Sequence, residues 1–268
     1  MSVRLCVVGG GRMGSALLAG LVAGGWAEPD EIAVAERVAA ARDALRARFP
    51  GVVVAEEPVA ADGVLLAVKP YDTEAVCRHL AGLGFRHALS IAAGITSASL
   101  DEWLGGEVAV VRAMPNTPAQ LGAGVSIIAG GPRTTEADLV WAEGILAAVG
   151  TVVRLPEALL DAATGVSGCG PAYLYYLAEA LIAAGTAAGL DSGTARLLVD
   201  QTLYGAARMI LESGRPADVL RAEVASPGGA TQAAIDVLEA AGVRRTVADA
   251  VAAAVVRAGE LGGARPEA

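Results

Sequence analysis

Along the first half of the chain, short β-branched runs alternate with stretches of helical spacing. The runs fall at Val3 to Val8, Ile32 to Ala35, Val52 to Ala55, Gly63 to Val68, Ala88 to Ile91 and Val108 to Arg112, with Val125 to Ala129 and Thr151 to Arg154 after them. Helical patterns occupy Ser15 to Ala23, Val38 to Phe49, Thr73 to Gly82, Leu100 to Leu104 and Thr135 to Val149. This is the βαβ rhythm of a doubly wound parallel sheet. After Pro156 the β-branched runs cease, and Ala/Leu-rich helical patterns follow at Leu159 to Thr164, Pro171 to Ala188, Gly193 to Glu212, Ala217 to Val224, Ala230 to Ala241 and Arg244 to Leu261. The chain therefore reads as α/β, with a doubly wound sheet over residues 1–156 and an all-α domain over 157–268. Its last residues, Gly262 to Ala268, read as a frayed tail.

The late helices carry Ala-Leu-Ala stripes too broad for a domain of little more than 100 residues to bury alone. A second subunit is expected to cover them, so the helical domain reads as a dimerisation domain of a homodimer or larger homo-oligomer. A net charge of −9, with Arg scattered rather than clustered, argues against nucleic acid as a partner. Mean hydropathy is high at +0.52, but alanine supplies much of it. Glu179, Asp249 and Arg257 interrupt the most apolar late stretches, and no membrane span is expected. Cys6, Cys77 and Cys169 form no CxxC pair, which points to a reducing compartment and, with no leader pattern ahead of the first glycine turn, to the cytoplasm. His79 and His87 stand apart from any Cys or His cluster, so no metal site is expected.

Two glycine-rich turns carry the candidate chemistry. Gly9, Gly11 and Gly14 form GxGxxG directly between the first strand and the first helix, the context in which such a turn cradles a dinucleotide pyrophosphate. Gly9 permits the tight turn, Gly11 lets the backbone approach the ligand, and Gly14 lets helix and strand pack closely. The sheet domain is then of Rossmann type. Its second strand ends in Glu36-Arg37, where an acidic residue meets the adenosine ribose. Glu36 suits NADH, whereas Arg37 and Arg12 suit a 2′-phosphate; the balance inclines to NADPH, with NADH also accommodated. Of the 20 basic residues only Lys69 is a lysine, and it stands at the carboxyl end of a strand, where ligands bind in such sheets. A compact point charge is wanted there. Far downstream, Ser226-Pro227-Gly228-Gly229-Ala230-Thr231 opens an apolar helix, and its convergent N–H groups offer a seat for a small carboxylate.

Together these motifs resemble the pyrroline-5-carboxylate reductases over nearly the whole chain. The resemblance rests on the glycine loop, Ala67-Val68-Lys69-Pro70, the Ala92-Ala93-Gly94 turn, Met114-Pro115-Asn116-Thr117-Pro118, Ser167-Gly168-Cys169-Gly170-Pro171-Ala172-Tyr173 and the turn from Ser226 to Thr231. It implies that Met13, Val68, Lys69, Pro70, Ala92 and Ala93 join Gly9, Gly11, Arg12, Gly14, Glu36 and Arg37 at the cofactor. It also implies that Gly228, Gly229, Ala230 and Thr231 meet the substrate, with Glu157 a further substrate residue and Thr231 the catalytic one. The implied reaction is reduction of the imine of L-1-pyrroline-5-carboxylate to L-proline by NAD(P)H. A protonated imine is electrophilic enough to need positioning rather than a strong acid, which fits the lack of a His or carboxylate dyad in these motifs. Cys169 stands where the family commonly has Ser and reads as a packing residue. Two other readings stay open from the residues: another small-acid dehydrogenase of the β-hydroxyacid type, and a non-catalytic NAD(P)-binding sensor. Against the first, no lysine follows residue 69; against the second, both glycine turns are intact.

Overall fold

A computed structural model describes residues 2–260; the expected helix end at Leu261 and the tail from Gly262 lie outside the described residues. In chain order the first elements are β1 (Leu5–Val8), α1 (Arg12–Ala23), β2 (Ile32–Ala35), α2 (Ala39–Arg48), β3 (Val53–Ala55), β4 (Gly63–Leu66), α3 (Pro70–Leu80), β5 (His87–Ser90) and α4 (Ser97–Trp103). They are followed by β6 (Ala109–Met114), β7 (Gly124–Gly130), α5 (Glu136–Leu146) and β8 (Gly150–Arg154). The eight strands form one sheet in the order β3-β2-β1-β4-β5-β6-β7-β8. β1 lies between β2 and β4, with Leu5 opposite Ile32 on one side and Gly63 on the other. The strand order reverses beside β1, and the crevice outside the carboxyl ends there is the ligand position of such sheets.

One edge departs from the all-parallel expectation. β7 runs antiparallel to β6, pairing Ala113 with Ile128, and β8 runs parallel to β7. Only residues 115–123 link β6 to β7, too few for the crossover a parallel neighbour needs, so the chain folds straight back. Helices also start earlier than their apolar spacing marks. α1 begins at Arg12 rather than Ser15, α3 at Pro70 rather than Thr73, and α4 at Ser97 rather than Leu100. The added turns, Arg12 to Gly14, Pro70 to Asp72 and Ser97 to Ser99, are too mixed in character to carry a periodic signal. Their starts are set instead by a Pro at the first position of α3 and by Thr96, whose hydroxyl accepts from the Ser99 N–H, at α4.

Alternate strand residues fill opposite faces of the sheet. Leu5 and Val7 pack with Leu17, Leu18 and Leu21 of α1 and with Ile145 and Leu146 of α5. Cys6 and Val8 pack on the other face with Cys77 and Leu80 of α3 and Leu100 of α4. Burial pushes the Cys77 thiol up to about 12 and raises that of Cys6, so both are inert packing groups.

The remaining elements are α6 (Leu160–Ala163), a π-helical turn at Thr164–Gly168, α7 (Gly170–Ala187), α8 (Ser192–Ser213), α9 (Ala217–Val224), α10 (Ala230–Ala240) and α11 (Val243–Glu260). The described residues divide into two compact units, one running through Cys169 and including residues 252–260, the other Gly170–Val251. Residues 157–169, grouped by sequence with the helical domain, pack on the first unit, where Leu160 is buried with Ile127 and Ala129 of β7. In the second unit α7 packs on α8. Asp191 caps α8 by accepting from the Thr194 N–H at 3.0 Å. Along α7 to α10, Ala195 is the one buried residue. Tyr176, Leu197 and Leu211 are 77, 69 and 80% exposed, apolar surface of the kind that marks an interaction face. No described helix is long and apolar enough to cross a membrane.

Candidate active site

A cleft of about 960 Å³ in the first unit is lined by the glycine loop, the ends of β2 and β4, Ile91 to Ala93 and the loop after β6. Gly9 sits at φ +103, and a Cβ there would come 2.7 Å from the Ala67 carbonyl oxygen. Gly14 is tighter still, since its Cβ would lie 2.0 Å from the Gly9 oxygen. Gly11 has nothing within 4 Å where a Cβ would stand, so bare backbone borders the cleft. The first backbone bond of α1 runs from the Ser15 N–H to the Gly11 oxygen at 2.8 Å. Among the described residues, the amides of Arg12, Met13 and Gly14 therefore meet no acceptor at the positive end of the helix. A dinucleotide pyrophosphate fits this seat.

Glu36 does more than face the cleft. Its Oε2 accepts the Gly10 N–H at 2.9 Å and its Oε1 accepts the Val38 N–H at 2.9 Å, so the carboxylate ties the glycine loop to the end of β2. Arg37 is exposed, with its guanidinium 3.9 Å from Asp72. Lys69 is exposed at the cap of α3, and no acceptor for its ammonium is found among the described residues. Every residue expected at the cofactor lines this cleft except Gly14, which is buried behind the loop it allows to close.

Met114, Pro115 and Thr117 line the same cleft as Ala92 and Ala93. Asn116 between them is buried: its Nδ2 donates to the Ser167 carbonyl at 3.0 Å, and its Oδ1 accepts the Val125 N–H at 2.9 Å. Glu157 does not line the cleft. It accepts from the Ser97 N–H at 2.7 Å, the Ser97 hydroxyl at 2.5 Å and Arg112 Nη1 at 3.2 Å, fastening the start of α4 to β6. Burial pushes its pKa up, but the Ser97 hydroxyl and amide and the Arg112 guanidinium outweigh that, and it lies below the usual carboxylate range. Asp161 Oδ1 sits 3.5 Å from Arg112 Nη2, close enough for an ion pair yet without a hydrogen bond.

The turn from Ser226 to Thr231 lies in the second unit. Ser226 to Gly229 closes a β-turn, with Gly228 at φ +73 and the Gly229 N–H donating to the Ser226 carbonyl at 2.9 Å. Pro227 and Gly228 occupy the two central positions that a type II turn favours for them. The Gly229 amide is thus already spent inside the turn. α10 starts at Ala230, and its first internal bond runs from the Ala233 N–H to the Gly229 oxygen. The amides of Ala230 and Thr231 and the exposed Thr231 hydroxyl have no partner among the described residues.

Sequence reasoning missed Asn116 and Arg112 as organisers of the site. Arg112 ends a strand that reads as wholly apolar, a cue to a buried cation.

Comparison with known proteins agrees with this architecture. The family model for pyrroline-5-carboxylate reductase dimerisation matches residues 157–261, and one for NADP oxidoreductase, coenzyme F420-dependent, matches residues 4–94. A pyrroline-5-carboxylate reductase of Synechocystis is 41% identical over 98% of this chain and 99% of its own. Among solved structures, the pyrroline-5-carboxylate reductase of Coxiella burnetii superposes with a TM-score of 0.91 at 36% identity, covering 98% of this chain and 100% of its own. The pyrroline carboxylate reductase of Plasmodium falciparum, solved with NADP bound, gives 0.85 at 28% identity, covering 97% and 98%. On the strength of identity sustained from end to end, the chain belongs to the pyrroline-5-carboxylate reductase family.

Proposed function

We propose that this chain reduces the C=N bond of L-1-pyrroline-5-carboxylate with NAD(P)H, giving L-proline. The observation that carries the proposal is the free amide seat at the start of α1, in a chain similar over its full length to named reductases. The reduced nicotinamide supplies hydride when bound. The amides of Arg12, Met13 and Gly14 hold its pyrophosphate, Glu36 and Arg37 meet its adenosine ribose, and Val68, Lys69, Pro70, Ala92 and Ala93 flank the rest. NADPH is the preferred form in this reading, because Arg12 and Arg37 are exposed and the Glu36 carboxylate is engaged by two amides; NADH is also used.

The substrate carboxylate takes the amides of Gly228, Ala230 and Thr231, while Gly229 shapes the turn. Thr231 Oγ1 accepts a hydrogen bond from the protonated ring nitrogen and so fixes which face of the ring is presented. Glu157, which already accepts three hydrogen bonds from Ser97 and Arg112, holds the protein in this reading rather than the substrate. The second unit covers its apolar helices with a second copy, and the enzyme works in the cytoplasm as a homo-oligomer. Loss of dihydronicotinamide absorbance with L-1-pyrroline-5-carboxylate, matched by proline formed, is the expected result. Dinucleotide binding without turnover would replace the reductase with a sensor.

A further inference from the structure

The geometry points to Arg42 as a positioning residue that sets how far this chain favours a 2′-phosphate over a 2′-hydroxyl on its dinucleotide. This rests on the reductase reading and goes beyond it, since Arg42 does not line the cleft. Its side chain is 14% exposed. Nη1 donates to the Glu36 carbonyl at 2.9 Å and to the Arg37 carbonyl at 2.8 Å, the two residues at the carboxyl end of β2. The Nη2 atom lies 3.1 Å from Glu56 Oε2, just past β3. One guanidinium thus fixes the backbone that aims Glu36 and Arg37 and also neutralises a carboxylate that lines the cleft. The other acidic groups there also have partners: Asp72 faces Arg37 at 3.9 Å, Glu57 lies 3.3 Å from the His79 ring, and Glu36 accepts from two amides. Without Arg42, Glu56 would face the ribose end uncompensated. A 2′-phosphate monoester carries close to two negative charges, so it suffers from that excess far more than a hydroxyl does.

The test is a titration of NADPH and NADH into the full-length protein without substrate, followed by dihydronicotinamide fluorescence and expressed as the ratio of the two Kd values. Arg42→Met should raise Kd(NADPH)/Kd(NADH) roughly tenfold, as expected for one charge lost within a Debye length of a near-dianion. Arg42→Lys retains the charge and should stay within about threefold of wild type. Glu56→Gln, at an exposed position that does not threaten folding, should move the ratio the other way by about threefold. In the double variant the ratio should return toward wild type. Equal weakening of both dinucleotides in Arg42→Met, or a ratio that rises in Glu56→Gln, overturns the assignment and leaves Arg42 a purely structural brace. A wild-type protein that binds neither dinucleotide overturns the reductase reading itself, and this one with it.

Discussion

Replacing Glu157 with Gln should weaken the fold while leaving substrate affinity alone. Glu157 accepts three hydrogen bonds, two from Ser97 and one from Arg112, whose side chain is only 8% exposed. In the Glu157→Gln variant the side-chain amide keeps an acceptor for the Ser97 N–H and can donate to the Ser97 hydroxyl. The ionic assistance to Arg112 is lost. Charge-assisted bonds contribute roughly 1.5 to 3 kcal/mol against about 1 for neutral ones, so the loss comes to about 1 to 2 kcal/mol. The glutamate is 28% exposed, which favours the lower end. Glu157→Ala should cost more, about 2 to 4 kcal/mol, because Arg112 is left with Asp161 and no strong acceptor.

The pH dependence gives a second readout of the same bond. Glu157 has a folded pKa below the ordinary 4.5, so its stabilisation is full above about pH 4.5 and is lost as pH falls through the lower folded value. The gap between wild type and Glu157→Gln in urea midpoint should be open at about pH 7 and closed in strong acid. The KM for the imine should not move. A raised KM with unchanged urea midpoint would refute this reasoning and return Glu157 to the substrate, as the family resemblance implied.

Gly14→Ala forces a Cβ to within 2.0 Å of the Gly9 oxygen, so α1 must lift from the sheet; we expect a loss of about 1 to 3 kcal/mol and of dinucleotide affinity together, and an unchanged melting curve would sink it. Thr231→Ala should lower turnover by roughly 5- to 150-fold with cofactor Kd unchanged, and identical steady-state kinetics would remove Thr231 from the site. Arg37→Ala should weaken NADPH and spare NADH, whereas Glu36→Gln, which sets an amide donor against either the Gly10 or the Val38 N–H, should weaken both; a purely selective Glu36→Gln would show that the carboxylate is not needed to hold the loop. Sedimentation at assay concentration should show a dimer or larger species, and a folded, active monomer would refute the role given to the exposed helices.

Much of the fold was legible because it is written in period and punctuation. The β-branched runs, the glycines and the later Ala/Leu-rich spacing located the strands, the first glycine turn and the helices, whereas the compact units divide after Cys169 rather than at Pro156. Strand direction at the sheet edge was not legible from the runs alone; it follows from the nine residues 115–123, whose shortness excludes a crossover. The missed parts of the site share one cause. Asn116, Arg112 and the Ser97 that meets Glu157 act through bonds to backbone groups or to residues distant in sequence, and such bonds leave no spacing to detect.

Two residues that the motifs did identify come with partners already in place. Glu36 was expected to offer its carboxylate to the ribose, and Gly229 its amide to a substrate carboxylate. In the folded chain both groups have prior partners: Glu36 holds the Gly10 and Val38 amides, and the Gly229 N–H closes the turn onto Ser226. A motif names which polar atoms are brought to a site, but only the hydrogen-bond accounting shows which are still free to meet a ligand. The carboxylate still has lone pairs for a ribose hydroxyl, whereas the single N–H of Gly229 has nothing left to give. Substitution at Glu36 therefore acts on loop and ligand together, and substitution at Gly229 acts first on the turn that presents Ala230 and Thr231.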